Sequence, residues 1–322
     1  MSSRPHLFSI VVPVYQNREN LGDTVPKLLG LAEKLPAYRY ELILVDDGST
    51  DGSRAALVEL AKEHPDVIRV VLLTRNFGQN AAIQAGLHYA EGDCVGIISC
   101  DLQEPCEQFV EMIKAWEQGS KFVIGERAER NEGTWHRIAS SIYWRLLRRF
   151  AFSDYPRLGY DFCLIGREVV DEINRINEKN ASIFVLIYWL GHSPSRVPVV
   201  RELRRAGRSQ WNLRKKIVFT VDSLIGFTYL PARLITAMGI GTALLSAIYL
   251  AIVLCRWITL HTAPPGWMTV IGLVTLLGAL NLFAVGILSE YLVRILDETR
   301  KRPPFLVDRI INPRSPAEHP QP

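Results

Sequence analysis

Four short polar clusters in the first 105 residues carry side chains able to do chemistry: Tyr15-Gln16-Asn17, Asp46-Asp47-Gly48-Ser49, Arg75-Asn76-Phe77-Gly78 and Asp101-Leu102-Gln103-Glu104. An acid such as Asp46 or Asp47 at the end of a strand, beside free backbone amides, suits hydrogen bonding to a nucleobase or ribose. Asp101 and Gln103, at i and i+2 of an extended segment, point to one side. Two such oxygen donors fit a hard divalent ion, which commonly bridges a protein carboxylate to a diphosphate. Arg75, or the start of the helix that follows it, could meet phosphate oxygens. Each cluster alone has a plain structural alternative, a turn or a helix cap.

The elements that must position these clusters are legible from β-branched runs at residues 8–12, 41–45, 67–73, 94–98 and 121–125, alternating with amphipathic stretches. Near-continuous apolar strands separated by helices predict a parallel sheet covered on both faces. Ligands in such sheets bind beyond the carboxyl ends of the strands, where the four clusters fall. From 134 to 189 the pattern is mainly helical, with a turn-rich insert at 153–161. Gly239-Ile240-Gly241 follows no strand and lacks a third glycine, so it is not a dinucleotide fingerprint.

The chain has 322 residues, of which 48% are hydrophobic and 22% charged, with a formal net charge of +4. That average conceals a division at residue 200. Before it stand 22 Lys and Arg against 26 Asp and Glu, after it 15 against 7. The basic part surrounds two uncharged runs, of 22 residues from Leu234 to Cys255 and 33 from Trp257 to Ser289, the second broken at Ala263-Pro264-Pro265-Gly266. A bilayer core needs ~20 apolar residues in helix, so two spans are expected. Residues 201–216 carry seven basic residues and one acidic, ahead of an amphipathic stretch at 217–230, as in a helix lying on an anionic leaflet. Lys and Arg flank the outer ends of both spans and are sparse in the turn between them, which places both termini in the cytoplasm.

The start of the chain predicts no cleavable signal peptide. The five cysteines form no CxxC pair and are expected as reduced thiols. Disordered, collagenous, disulfide-rich and nucleic-acid-binding classes fit poorly, no repeat is evident, and the tail after Pro303 is expected to be partly disordered. The predicted organisation is a catalytic domain at 1–200, juxtamembrane helices at 201–232, a transmembrane hairpin at 233–294 and a tail at 295–322.

In this order and at these spacings, Pro13-Val14-Tyr15, the run from Val45 to Asp51, Arg75-Asn76-Phe77-Gly78, Asp101-Leu102-Gln103, Asp161-Phe162 ahead of Arg167, Arg204 ahead of Gly207 to Trp211, and the hairpin resemble family 2 glycosyltransferases of the GT-A fold. The chain is most similar to bacterial polyprenyl-phosphate glycosyltransferases such as the bactoprenol glucosyltransferases, relatives of dolichol-phosphate mannose synthase. The similarity runs from residue 8 to about residue 310.

The resemblance implies an α/β GT-A domain with a mainly parallel sheet, an amphipathic interface helix and two transmembrane helices. It implies an inverting transfer from a nucleotide-sugar, a UDP-hexose by family frequency, to polyprenyl phosphate at the cytoplasmic face of a bacterial inner membrane. Pro13, Tyr15, Asp46, Asp47, Arg75, Asp101 and Arg204 would bind the donor. Asp101 and Gln103 would hold Mg²⁺ or Mn²⁺, and Arg201, Ser209 and Trp211 would meet the acceptor or the diphosphate. Asp161 would be the catalytic acid beside the acceptor, and a tetramer is the expected assembly. The chain departs from the family pattern at Ser99, where an Asp is common, and at Cys163, where an Arg is. Three rivals stand beside this reading. A processive polysaccharide synthase would carry more spans and a Gln-x-x-Arg-Trp motif; a transferase with another lipid or polysaccharide acceptor shares the motifs; an inactive membrane scaffold would explain Ser99 but not the other acids.

Overall fold

A computed structural model describes residues 5–127, 144–145, 148–149, 152–176, 178, 181–200, 230–260 and 266–313. In chain order, β1 (Leu7–Val14) leads to α1 (Arg18–Lys34), β2 (Arg39–Asp46) to α2 (Ser53–Glu63), β3 (Ile68–Leu73) to α3 (Gln79–Tyr89), and β4 (Cys94–Ile97) to α4 (Gln108–Glu117). β5 (Phe122–Arg127) and β6 (Cys163–Gly166) precede α5 (Arg167–Asn174), α6 (Ile183–Trp189) and β7 (Ser195–Val199). Two long helices, α7 (Leu230–Leu260) and α8 (Trp267–Thr299), come before β8 (Val307–Ile311).

The strands form one eight-stranded sheet in the order β7-β5-β6-β4-β1-β2-β3-β8. β1 pairs in parallel with β2 and β4, β2 with β3, and β5 with β7, whereas β6 and β8 run antiparallel to their neighbours. The expected mainly parallel sheet is therefore present. Its central strands are buried almost without a break, as strands covered on both faces must be. On one face α1 sets Leu21, Val25, Leu28 and Leu31 into the core at helical spacing, and α4 adds Phe109, Met112 and Ile113. Full burial of each such side chain is worth roughly 1.5–3 kcal/mol.

At the amino ends of the strands the sheet carries a buried polar cluster. The Ser9 hydroxyl donates to Glu41 at 2.6 Å, and the Arg69 guanidinium lies 3.1 Å from Glu41 and 2.9 Å from Glu91. Charges this deep persist only when paired. The cluster ties three strands together at the end away from the polar loops.

Two expectations are refined. The stretch from 134 to 189 is helical at α5 and α6 and turn-rich at 153–158 where it is described, but Cys163–Gly166 inserts between β4 and β5 as a strand that the helical pattern did not show. Within the tail after Pro303, expected to be partly disordered, residues 307–311 form a strand whose backbone pairs with β3. Asn312 then donates from its carboxamide to the carbonyls of Ala61 and Ile68, at 2.6 and 3.0 Å.

The described residues fall into two compact units, the sheet domain including β8 and the pair of long helices. Within α7 and α8, Ala232–Arg256 and Gly272–Leu296 have mean hydropathies of 2.2 and 2.0, long and apolar enough to cross a membrane. Their large apolar side chains, Leu244, Leu245, Ile252, Leu282 and Phe283 among them, are exposed.

Candidate active site

Every described candidate residue lies in or beyond the strand ends that face away from the buried polar cluster. Pro13 is the seventh residue of β1, paired with Val45 of β2, and half-buried Tyr15 follows directly. The loop after β1 is stitched to the loop after β2 through short hydroxyls and a carboxylate. Gln16 donates its amide to Ser49 Oγ at 3.1 Å and its carboxamide to Thr50 Oγ1 at 2.8 Å. The Asn17 amide reaches Ser53 Oγ at 3.2 Å and the Arg18 amide reaches Asp51 at 3.0 Å. Gln16 takes a positive φ of 52° within this stitching.

Asp46 and Asp47, the last residue of β2 and the one after it, are both buried. Asp47 accepts the backbone amides of Phe77 at 2.7 Å and Gly78 at 3.0 Å, one on each carboxylate oxygen. This acid thus fixes the loop that carries Arg75, whose own guanidinium lies 4.0 Å over the Phe77 ring and donates to the Asn76 carbonyl. Between the two segments only a glycine fits. Gly48 has φ +70°, and a Cβ there would lie 2.5 Å from the Arg75 carbonyl carbon and 2.6 Å from the Asn76 nitrogen.

Burial pushes the Asp47 carboxyl up to about 6, against the pull of its two amide donors. A carboxyl whose folded pKa lies above its ordinary value of 3.8 holds its proton more tightly in the folded chain. Its contribution to stability is therefore full below pH 3.8 and is lost as pH rises to about 6. At 1.36 kcal/mol per unit this amounts to about 3 kcal/mol. The difference in unfolding free energy between the wild type and Asp47→Asn should shrink over that interval and level off above it. A difference curve flat across the interval contradicts the assignment.

Asp101 and Gln103 occupy the loop after β4, both half-buried, on either side of Leu102 at φ 43°; the left-handed residue turns the chain there, so the segment is not the extended one from which their pointing to one side was expected. The Ser99 hydroxyl donates to Asp101 Oδ1 at 2.9 Å and lies 3.4 Å from the buried Glu104 carboxylate, so it stands between two acids. Thr24 on α1, itself buried, donates to the Cys100 carbonyl at 2.6 Å and pins the backbone between Ser99 and Asp101. The sequence offers no signal for Thr24 beyond a hydroxyl on an otherwise apolar helix face.

Asp161 immediately precedes Phe162 and β6. The β4–β6 register pairs Cys94 with Gly166 and Ile97 with Cys163, so Asp161, two residues before β6, lies at the same end of the sheet as the loop after β4. Asp161 is flanked by two buried aromatic anchors. The Tyr160 hydroxyl donates to the Phe184 carbonyl, and Phe162 packs on Phe109 with centroids 4.7 Å apart while its carbonyl accepts the Gly125 amide at 2.9 Å. Cys163 is fully buried in β6, and burial holds its thiol far above the ordinary range. It faces no ligand.

The structure thus brings Pro13, Tyr15, Asp46, Asp47, Arg75, Asp101, Gln103 and Asp161 to one edge of the sheet. Arg201, Arg204, Ser209 and Trp211, together with the expected interface helix, lie outside the described residues. Among the described residues no group of three or more His, Cys, Asp and Glu is placed to hold a metal ion. The donor set at the Asp101 loop is one carboxylate and one carboxamide with a serine hydroxyl beside them. These all-oxygen donors fit a hard divalent ion that completes its shell with substrate oxygens.

A mainly parallel sheet with its polar loops at one edge and the β6 strand inserted antiparallel defines a GT-A fold. Mannosyl-3-phosphoglycerate synthase from Rubrobacter xylanophilus shares it, with a TM-score of 0.50 and 17% identity over 73% of this chain and 75% of that one. Residues 9–173 match the family model described as glycosyl transferase family 2. A glycosyltransferase of Bacillus subtilis strain 168, YkcC, is 32% identical over 95% of both chains. The prophage bactoprenol glucosyl transferase homolog of Escherichia coli K12 is 30% identical over 94% of this chain and 98% of its own. Bactoprenol glucosyl transferase of Shigella phage SfX is 31% identical over 93% and 98%. The chain belongs to glycosyl transferase family 2, and it is a glycosyltransferase.

Proposed function

We propose that this protein moves a sugar from a nucleotide-sugar, a UDP-hexose by preference, to polyprenyl phosphate at the cytoplasmic face of a bacterial membrane. The observation that carries the reading is the extent of the likeness to bactoprenol glucosyl transferases. It runs past the family domain, which ends at residue 173, and takes in the two long apolar helices. A soluble acceptor needs no such segment, whereas a lipid phosphate sits at headgroup level and must be met there.

The reaction is a single displacement. An oxygen of the acceptor phosphate attacks the anomeric carbon, the bond from that carbon to the donor diphosphate breaks, and the nucleoside diphosphate leaves with the electron pair. The anomeric configuration inverts. A phosphate monoester, with a second pKa of about 6, is already mostly dianionic at pH 7, so Asp161 orients the acceptor and takes any residual proton. Pro13, Tyr15, Asp46 and Asp47 line the base and ribose side, with Arg75 at the phosphates. A divalent cation held by Asp101 and Gln103 would neutralise charge growing on the leaving diphosphate. Arg201, Arg204, Ser209 and Trp211 complete the anion-binding side, and the basic stretch they belong to draws the site to an anionic leaflet. Both termini lie in the cytoplasm, the hairpin spans the membrane, and copies of the chain assemble as an oligomer.

The test uses purified full-length protein, undecaprenyl phosphate, Mg²⁺ or Mn²⁺ and labelled UDP- and GDP-sugars. Metal-dependent label in the extracted lipid that disappears in Asp101→Ala is the expected outcome. Failure of every donor to label the lipid rejects the reading.

A further inference from the structure

The strand that follows the two long helices is built into the edge of the donor site. β8 lies antiparallel on β3, and the Leu306 carbonyl just before it accepts the Thr74 amide at 3.0 Å. Thr74 immediately precedes the loop whose Phe77 and Gly78 amides hold Asp47. Two residues after Leu306, the Asp308 carboxylate accepts Arg54 Nη2 at 2.8 Å. The same guanidinium donates to the Leu73 carbonyl at 3.3 Å and sets its Nε 3.7 Å from Oδ2 of the fully buried Asp46. The other Asp46 oxygen accepts the Ser49 amide, at the start of the stitched turn. Among the described residues Asp46 Oδ2 has no hydrogen bond, so Arg54 is the cation that offsets it. Only the seven residues from Arg300 to Leu306 separate the end of α8 from β8.

We propose that Asp308 and Arg54 are positioning residues of the donor pocket, through which the strand returning from the long helices holds Asp46, the Ser49 turn and the Arg75 loop in register for the nucleotide. The inference rests on the reading that this sheet edge binds a nucleotide-sugar. Neither residue touches the donor. The matched family domain ends at residue 173, so Asp308 is an addition to it from the far side of the hairpin. An ion pair at the surface contributes little by itself, whereas a buried carboxylate deprived of its cation is expensive to hold in place. The two substitutions should therefore differ in size and act through one path.

Full-length wild type, Asp308→Asn, Arg54→Gln, Arg54→Lys and the double variant Arg54→Gln/Asp308→Asn are compared by calorimetric binding of UDP and GDP with Mn²⁺, by thermal midpoint without nucleotide, and by steady-state kinetics. Arg54→Gln should weaken diphosphate binding about tenfold and Asp308→Asn about threefold, with Arg54→Lys in between. The donor KM should rise with them, while kcat at saturating donor stays within about twofold of wild type. In the double variant Asp308→Asn should add nothing to Arg54→Gln, because the path is already cut. Additive losses, unchanged affinity in Asp308→Asn, or losses that follow the thermal midpoint and kcat together overturn the proposal. A wild type that binds neither diphosphate overturns the donor-site reading and this inference with it; wild-type binding alongside unaltered variants overturns the inference alone.

Discussion

Asp161→Asn is expected to reduce turnover about a thousandfold, within the range for a lost acid–base or orienting group, while nucleoside diphosphate affinity stays within about twofold of wild type. The substitution keeps the shape of the side chain and removes its charge and its ability to take a proton. The anchors on either side are independent of that carboxylate, since Tyr160 is bonded to Phe184 through its hydroxyl and Phe162 is held by ring packing and by its backbone. The turn should therefore keep its place. Single-turnover labelling of polyprenyl phosphate and equilibrium binding of UDP separate the two effects. Equal loss of both would show that Asp161 shapes the donor pocket instead of serving the acceptor.

Gly48→Ala should cost both stability and donor binding. The left-handed backbone at φ +70° penalises any L side chain by roughly 1–2 kcal/mol. The larger difficulty is contact, because the methyl would meet Arg75 and Asn76 backbone atoms at 2.5–2.6 Å and neither can rotate away. The two loops must part, which sacrifices the amide bonds to Asp47 at about 1 kcal/mol each. A loss of about 2–4 kcal/mol in unfolding free energy is expected, together with a fall of more than about tenfold in diphosphate affinity. Gly48→Asn separates the causes, since Asn tolerates the left-handed region but still carries a Cβ. Recovery with Asn would show that backbone strain, and not the close approach, makes glycine necessary.

How much of this was legible in the sequence differs by element. β1 to β5 could be read because each is a β-branched run buried on both faces, so that its apolar pattern needs no knowledge of its neighbours. β6 has only the four residues Cys163–Gly166 and lies against a helical pattern, too short for any period to declare itself. β7 is an edge strand with Pro198 inside it, which its sequence alone demotes. β8 reads Val-Asp-Arg-Ile-Ile, with charges suited to an edge and a pairing partner on the far side of both long helices. The site shows the same limit. The clusters at 15, 46–47, 75 and 101 were visible because residue type and position at strand ends suffice to flag them. That Asp47 spends both oxygens on the next loop, that Ser99 stands between Asp101 and Glu104, and that Thr24 grips the Cys100 carbonyl are relations between distant segments. No local spacing encodes them.

The Asn312 carboxamide and the Ala61 carbonyl it meets are 251 residues apart in the chain. During synthesis the outer edge of β3 must wait, unpaired, until both long helices have left the ribosome and β8 can close it. An open edge strand is a template for wrong partners, and pairing over such a separation is slow because the loop entropy is lost before the contacts form. The sheet therefore reaches its final edge only after the apolar helices have emerged. A chain stalled before β8 would carry the whole matched family domain and still present an uncapped edge.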